Sequence, residues 1–532
     1  MHRGAMHLAF AVAAILCGTV APAASSVTAG AISPDGSTAL MQAVFKGDVA
    51  EVRQLIAAGA DVQAVNHYGV NAMQLAAEAS SAGELLQLLL QAGADANSPN
   101  LEGETVLHLV ARSGNVEAAK RLLRAGAAVD ARESFGGQTP LMWAAARRHE
   151  AMVDLLASKG ADVNARSQVR DYQRVATAES RAKFLDRGGF TPLMYAAREN
   201  CRDCIDALLK YKVDLDLPDP AGVAPLSIAM MNGNWDIAKR LIEAGADINH
   251  WDIFGQSPLH VAIGNMESAG SNNPLDINSP NHTSSREIVK MLVERGANPN
   301  QQLYFRAPGR SLGGLGRGLT PFLAACAGGD LEIVRLLLAS GANPKLATSD
   351  GQGPIILAVG SRAGGTGNPG PSLGGRGRGG AVGFGAGRGG RESNGAPRKD
   401  PSVELIEVLA EAGADVNLIA KRHFLQRTRG GSALHYAVRT GNKKVMAVLV
   451  ELGIDVNAED EDGLTALDYA MGRGYVPFLQ MAHPPRKDLA ELLRGWGANV
   501  ELAKTPDWPP QGPPIGTTVY DAVIWPVDPV GP

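Results

Sequence analysis

Two cysteines three residues apart, in Cys201-Arg202-Asp203-Cys204, are the side chains of this sequence best placed for chemistry. Such a pair can cycle between dithiol and disulfide, or supply half of a thiolate metal site. No second pair follows to complete a zinc site, and no histidine follows Cys204 as haem attachment requires. The sequence also lacks a G-x-S-x-G, a phosphate-binding glycine loop and any other metal-ligand spacing, so it points to no cofactor, no metal and no enzyme. Histidines 108, 260 and 435 all occupy one recurring position, which is the mark of a structural role.

That recurrence reflects the organisation of the whole chain. A Thr-Pro-Leu-His-like start falls at Thr38, Asn71, Thr105, Thr139, Thr191, Ala224, Ser257, Thr320, Gly353, Ser432 and Thr465. A Gly-Ala-Asp/Asn-like stop follows each one, at Gly59, Gly93, Gly126, Gly160, Lys212, Gly245, Gly296, Gly341, Gly413, Gly453 and Gly497. Where nothing is inserted the step is 33 or 34 residues, a period typical of stacked repeats. At Thr139 the hydroxyl can cap a helix, and Pro140 suits the first turn because its missing N–H would be unpaired there anyway. This starts helix A. In Val116 to Gly126 the apolar residues Val116, Ala119, Leu122 and Leu123 share one helical face, and Gly126 supplies a left-handed end; this is helix B. Polar stretches such as Ala246 to Gln256 then read as hairpins. Asn71, Ala224 and Gly353 stand where a capping threonine is expected and Lys212 where a glycine is, which weakens those four repeats.

The segments TPLMYAA (Thr191 to Ala197), SPLHVA (Ser257 to Ala262), GADVN (Gly160 to Asn164) and GADIN (Gly245 to Asn249) resemble the ankyrin repeat, and the resemblance covers roughly residues 36–500. It implies an all-α ankyrin-repeat solenoid of helix-turn-helix plus β-hairpin units with inserted loops. It implies a protein partner held on a concave groove formed by the A helices and hairpin tips. It carries no shared active site. In that setting a thioredoxin-like role for Cys201 and Cys204 is disfavoured. A local disulfide and a pair of reduced thiols both remain, with Cys204 standing where repeat three has the core residue Ala118. Cys326 reads as a small core residue of helix A.

The N-terminus has the three parts of a secretory leader: a charged start, an apolar run from Leu8 to Val20, and the small-residue site Ala21-Pro22-Ala23. The expected organisation is a signal peptide (1–23), a linker (24–35), the repeat array (36–500) and a proline-rich tail (501–532). The expected location is periplasmic or secreted, with no transmembrane segment after cleavage. Formal charge is −4, and −5 without Arg3, which gives no reason to expect a nucleic-acid partner.

Insertions interrupt the period in two places. Between helices A and B the longest is 360–400, centred on GRGRGGAVGFGAGRGGR, too poor in apolar residues to pack a core and so expected to be flexible. Three hairpins are lengthened: 166–188, 301–318 and 418–431, with net charges of +3, +3 and +4 in a chain of negative total. Arg170, Arg174, Lys183, Arg306, Arg310, Lys421, Arg422 and Arg427, interleaved with Tyr172, Phe184, Tyr304, Phe305 and Phe424, suit an anionic partner. Lys46, Arg112, Arg147, Arg198, Arg439 and Arg473 add cations at the end of helix A, where they also complement the helix dipole. The leading expectation is an exported scaffold for a protein partner, with an anionic cell-envelope or extracellular polymer as the alternative ligand. Deletion of Gly364 to Pro397 is expected to leave helical circular dichroism unchanged, since the segment contributes almost no apolar surface. A loss of helicity on deletion would show that it packs on the array.

Overall fold

The computed structural model describes residues 33–79, 81–170, 188–266, 281–304, 318–360, 401–421, 430–472 and 485–501. The chain divides into two bodies, Met1–Ala128 and Val129–Pro532. Among the described residues the first holds three helix pairs and the second eight, all short. No described helix is long and apolar enough to cross a membrane. Each body is built from antiparallel A and B helices with their apolar faces turned inward.

The start marks work as N-caps. Thr38, Thr139, Thr191, Thr320 and Thr465 sit in extended backbone, and each hydroxyl accepts the N–H three residues on. Asn71 does the same through its side-chain oxygen, with Gln74 reaching back to the Asn71 N–H, so this position is a full cap rather than a weak one. Ala224 and Gly353 have no side-chain cap. The stop glycines hold φ between +84° and +98°, a region that L side chains enter at a cost. Lys212 does not take up that conformation; helix B of repeat five (Arg202–Leu208) ends sooner, through Leu209 in ordinary right-handed backbone.

Repeat eight shows how the layers pack. Helix A (Pro321–Gly328) buries Phe322, Leu323, Ala325 and Cys326, and helix B (Leu331–Ala339) buries Ile333, Val334 and Leu337. Each large aliphatic or aromatic side chain removed from water in this way contributes about 1.5–3 kcal/mol. The Cys326 thiol is fully enclosed, and burial pushes it far above its ordinary pKa, so it stays protonated as a core group.

Neighbouring repeats are also joined by side-chain amides at their hairpin necks. Asn300 accepts the Asn343 N–H at 2.8 Å and donates to the Gly341 carbonyl at 2.9 Å. Asn164, Asn249, Asn417 and Asn457 repeat this two-way bond in the second body, and Asn97 does so in the first. Asp130 and Asp216 stand in the same place and accept the N–H of Asp162 (3.0 Å) and Asp247 (2.7 Å). Their carboxylates have no N–H to return to a glycine carbonyl. Partial burial raises both pKa values against the pull of the Asp162 and Asp247 backbone N–H groups; the charge of Asp162 adds to the rise at Asp130 against Arg132, and those of Asp247 and Asp214 add to it at Asp216 against His250. Because the fold favours the protonated form, both joints are weakest at neutral pH and gain as pH falls into the carboxyl range. Asp130→Asn and Asp216→Asn should each stabilise the protein at pH 7 by about 0.5–1 kcal/mol, with a smaller gain at pH 4, read by thermal melting. An unchanged or lowered Tm at pH 7 would contradict this.

Candidate partner-binding surface

The hairpin turns are made by one side chain each. Asn66, Asn100, Asp219, Asp252 and Asp460 point an oxygen at the N–H groups two and four residues on, at 2.8–3.0 Å. Glu133, one carbon longer, accepts from the N–H of Phe135, Gly136 and Gln138. Glycine follows at a left-handed φ; a Cβ on Gly222 would stand 3.1 Å from the Asp252 backbone of the next hairpin. Burial pushes the Asp252 carboxyl up to about 6, against the pull of its backbone N–H partners and the neighbouring His250.

Successive hairpins then bond backbone to backbone. In the second body Gln168 N–H donates to the Gly136 carbonyl, Ile253 to Ala221, Tyr304 to Phe254 and Lys421 to Asp350, at 2.6–2.9 Å. All three lengthened hairpins leave from this edge on antiparallel stems: Val169 opposite Gly188, Leu303 bonded to Gly318 and Leu319, and strands Ile419–Ala420 and Gly431–Ser432.

What the edge presents is more apolar than the sequence suggested. Twelve large apolar side chains are exposed among the described residues, and nine of them are on hairpins. In the first body these are Val65, Tyr68 and Leu101; in the second, Phe135, Val169, Trp251, Ile253, Tyr304 and Ile419. A folded protein exposes single apolar side chains at random, but their concentration on the hairpins of each body makes that edge the candidate partner-binding surface. Sequence reasoning missed it by reading Ala246 to Gln256 as simply polar. The available signal was a large apolar residue beside some of the turn glycines, as in Tyr68-Gly69 and Phe135-Gly136.

Of the eight basic residues expected on this edge, two lie in the described structure. Lys421 is exposed. Arg170 lies 3.9 Å above the Phe135 ring and donates to the Phe135 carbonyl. Arg174, Lys183, Arg306, Arg310, Arg422 and Arg427 fall outside the described residues. On the groove side, Arg112 is paired with Glu78, Arg198 lies over Phe190 and Tyr195, and Arg439 over Tyr436. Lys46 and Arg147 are exposed, while Arg473 is outside the described residues. Cys201 and Cys204 form a disulfide, with sulfurs 2.04 Å apart, at the start of helix B of repeat five.

Two Ser-His pairs look like halves of a catalytic triad, and their geometry shows another use. In Ser257–His260 and Ser432–His435 the ring Nδ1 accepts the serine backbone N–H (3.2 and 3.1 Å) and meets its hydroxyl at 2.9 Å. Accepting that N–H leaves Nδ1 without a proton, so Nε2 carries it and donates to Leu319 O (3.2 Å) or Leu464 O (2.9 Å). Both pairs are buried caps. Among the described residues no three His, Cys, Asp or Glu side chains converge as a metal site.

Family models described as ankyrin repeats (3 copies) match residues 9–100, 78–167, 193–303 and 396–488, and a single-repeat model matches 317–349. The chain belongs to the ankyrin-repeat family. It is 29% identical over 193 residues to the B-cell lymphoma 3 protein homolog of Mus musculus, covering 35% of this chain and 36% of that protein. It is 31% identical over 171 residues to the glycerophosphocholine phosphodiesterase gde1 of Schizosaccharomyces pombe, covering 32% of this chain and 12% of that protein. The chain thus spans about a third of the length of the first relative and an eighth of the second. The crystal structure of the ankyrin repeat domain of Bcl-3 aligns with a TM-score of 0.38 at 22% identity, over 48% of this chain and 99% of that one. Ankyrin-repeat proteins generally mediate protein–protein interaction, and the fold is typically non-enzymatic.

The buried histidines give this ankyrin-repeat protein a defined acid sensitivity. Burial lowers the His260 pKa to about 4 from an ordinary 6.5, against the pull of the Leu319 and Gln301 carbonyls, and lowers that of His435 as well. The unfolded chain takes up these protons near pH 6.5 while the fold refuses them, so stability is full above 6.5 and falls toward pH 4. The His260 share is about 3 kcal/mol. Urea unfolding at pH 7.5 and 5 should show this loss, and His260→Gln should lower stability at pH 7.5 while flattening the slope. An unaltered slope in the variant would remove His260 as a cause.

Proposed function

We propose that this chain is an exported, non-enzymatic ankyrin-repeat scaffold. It holds a protein partner against the hairpin edge and the groove face of the A helices. The observation that carries this reading is the set of exposed Phe135, Val169, Trp251, Ile253, Tyr304 and Ile419 on five hairpins of the second body. Rigid aromatic and branched side chains on an edge stiffened by hairpin-to-hairpin bonds lose little entropy when a partner covers them. Export is supported by the three-part leader and by the Cys201–Cys204 disulfide, a bond that persists in oxidising compartments. The anionic-polymer reading rests on the +10 charge of the three lengthened hairpins. Polymer binding would collapse with added salt, whereas an apolar protein interface would persist.

A photo-crosslinking residue at Trp251 or Tyr304, introduced in the native host, is expected to trap a discrete protein adduct in the exported fraction. The same residue at the exposed helix-B position Glu243 is expected to trap none. Equal labelling at Glu243, or none at the hairpins, would overturn the proposal.

A further inference from the structure

Repeats four and five carry a second surface that the apolar edge does not explain. Helix A of repeat four (Pro140–Ala146) packs beside helix A of repeat five (Pro192–Arg198), and each ends in an arginine, Arg147 and Arg198. The Arg198 guanidinium lies 5.1 Å from the centre of the Tyr195 ring and 5.6 Å from that of Phe190, and the two rings meet edge to face at 5.6 Å. The Tyr195 hydroxyl is held by Gln138 at 2.9 Å, at the base of the hairpin that carries Phe135. Arg170 covers Phe135 in turn, and its stem is tied to Phe190 by the Ser167 N–H at 2.9 Å. Hairpin tip and groove side are thus linked, through Gln138 and the Ser167–Phe190 bond, as two aromatic groups bearing arginines: Phe135 under Arg170, and Phe190 with Tyr195 under Arg198.

A guanidinium lying on a ring keeps its position without a carboxylate, and it still offers N–H groups at its edge. Arg198 commits Nε to Glu199, and Arg147 makes no ion pair among the described residues. Among the acids close by in the chain, Glu199 is engaged by Arg198 and Glu133 by the backbone N–H groups of its own turn, while Glu150, three residues after Arg147, is exposed at the start of helix B and is not paired with it. Arg147, Arg170 and the terminal nitrogens of Arg198 are therefore left for an external anion, and the Phe135 ring, 73% exposed, is left for an apolar group.

We infer that Arg147, Arg170 and Arg198, with Phe135 and Phe190, form a docking site for an acidic peptide segment in which carboxylate side chains alternate with aromatic or aliphatic ones. Carboxylates fit the bidentate edge of arginine, and the exposed Phe135 ring beside the cations offers an apolar platform that the aromatic or aliphatic side chains of a peptide cover. This inference rests on the scaffold reading and names the chemistry of one part of it.

The test uses the full chain and a fluorescein-labelled peptide alternating glutamate with phenylalanine, followed by fluorescence anisotropy at low salt. The wild type is expected to bind it and to ignore the lysine–phenylalanine counterpart. Replacing Arg147, Arg170 and Arg198 together by glutamine should weaken binding about tenfold or more with unchanged circular dichroism. Arg147→Glu with Arg198→Glu should shift the preference toward the lysine peptide, which keeps the test independent of any loss of stability in the glutamine variant. Equal affinity of wild type and glutamine variant, or no binding by the wild type, would overturn the inference. Competition by alginate as strong as by unlabelled peptide would overturn it in favour of a polymer. Crosslinking at Trp251 and Tyr304 does not involve these arginines, so a failure here leaves the hairpin reading standing, and the reverse holds too.

Discussion

A proton on one ring nitrogen holds neighbouring repeats together. His260 and His435 close the cap of their own helix through Nδ1 and reach the next repeat's start through Nε2, at Leu319 O and Leu464 O. That double use demands a neutral ring with its hydrogen on Nε2, and burial enforces neutrality. The hairpin-neck asparagines satisfy the same demand farther out, each accepting from one backbone group and donating to another in the following repeat. Both devices place a polar bond at the seam between repeats, where apolar packing alone would allow sliding.

This arrangement is what frees the hairpin edge. Because the turns are held from within by Asn66, Asp219, Asp252 or Glu133 and braced by backbone bonds to the preceding hairpin, the residues at their tips carry no structural duty. Trp251, Ile253 and Tyr304 can therefore leave about half of their surface open to solvent in the free protein. Such residues are expected where a partner supplies the missing cover. The stems of the lengthened hairpins lie on the same edge of the second body, so the repeat core continues past them.

The fold was legible in the sequence because its determinants are local. A Thr or Ser before a helix and a glycine after it report capping and a left-handed backbone directly, and Thr139, Thr320, Gly126 and Gly341 behave as those rules require. Local rules misjudged Asn71, which caps as fully as threonine because its side-chain oxygen is equally placed. They also misjudged Lys212, because the helix before it simply stops short. The binding surface was legible only in part. Charge is visible in a sequence, so Arg170 and Lys421 stood out, whereas the exposure of Phe135 depends on how neighbouring hairpins brace one another. The stacking of Arg198 on Phe190 likewise joins a helix end to the residue before its cap, a proximity that appears only once the repeat is folded.

The claim that the seams, and not the single repeats, carry the order of the hairpin edge is tested most directly by hydrogen exchange in Asn300→Ala. Asn300 belongs to the hairpin after repeat seven and bonds to Gly341 and Asn343 in the hairpin after repeat eight. Exchange measured by mass spectrometry is predicted to quicken in both hairpins together, with repeats four and ten of the same body unchanged. Faster exchange confined to the hairpin that carries Asn300 would contradict the account, since it would mean that each repeat holds its own edge without its neighbour.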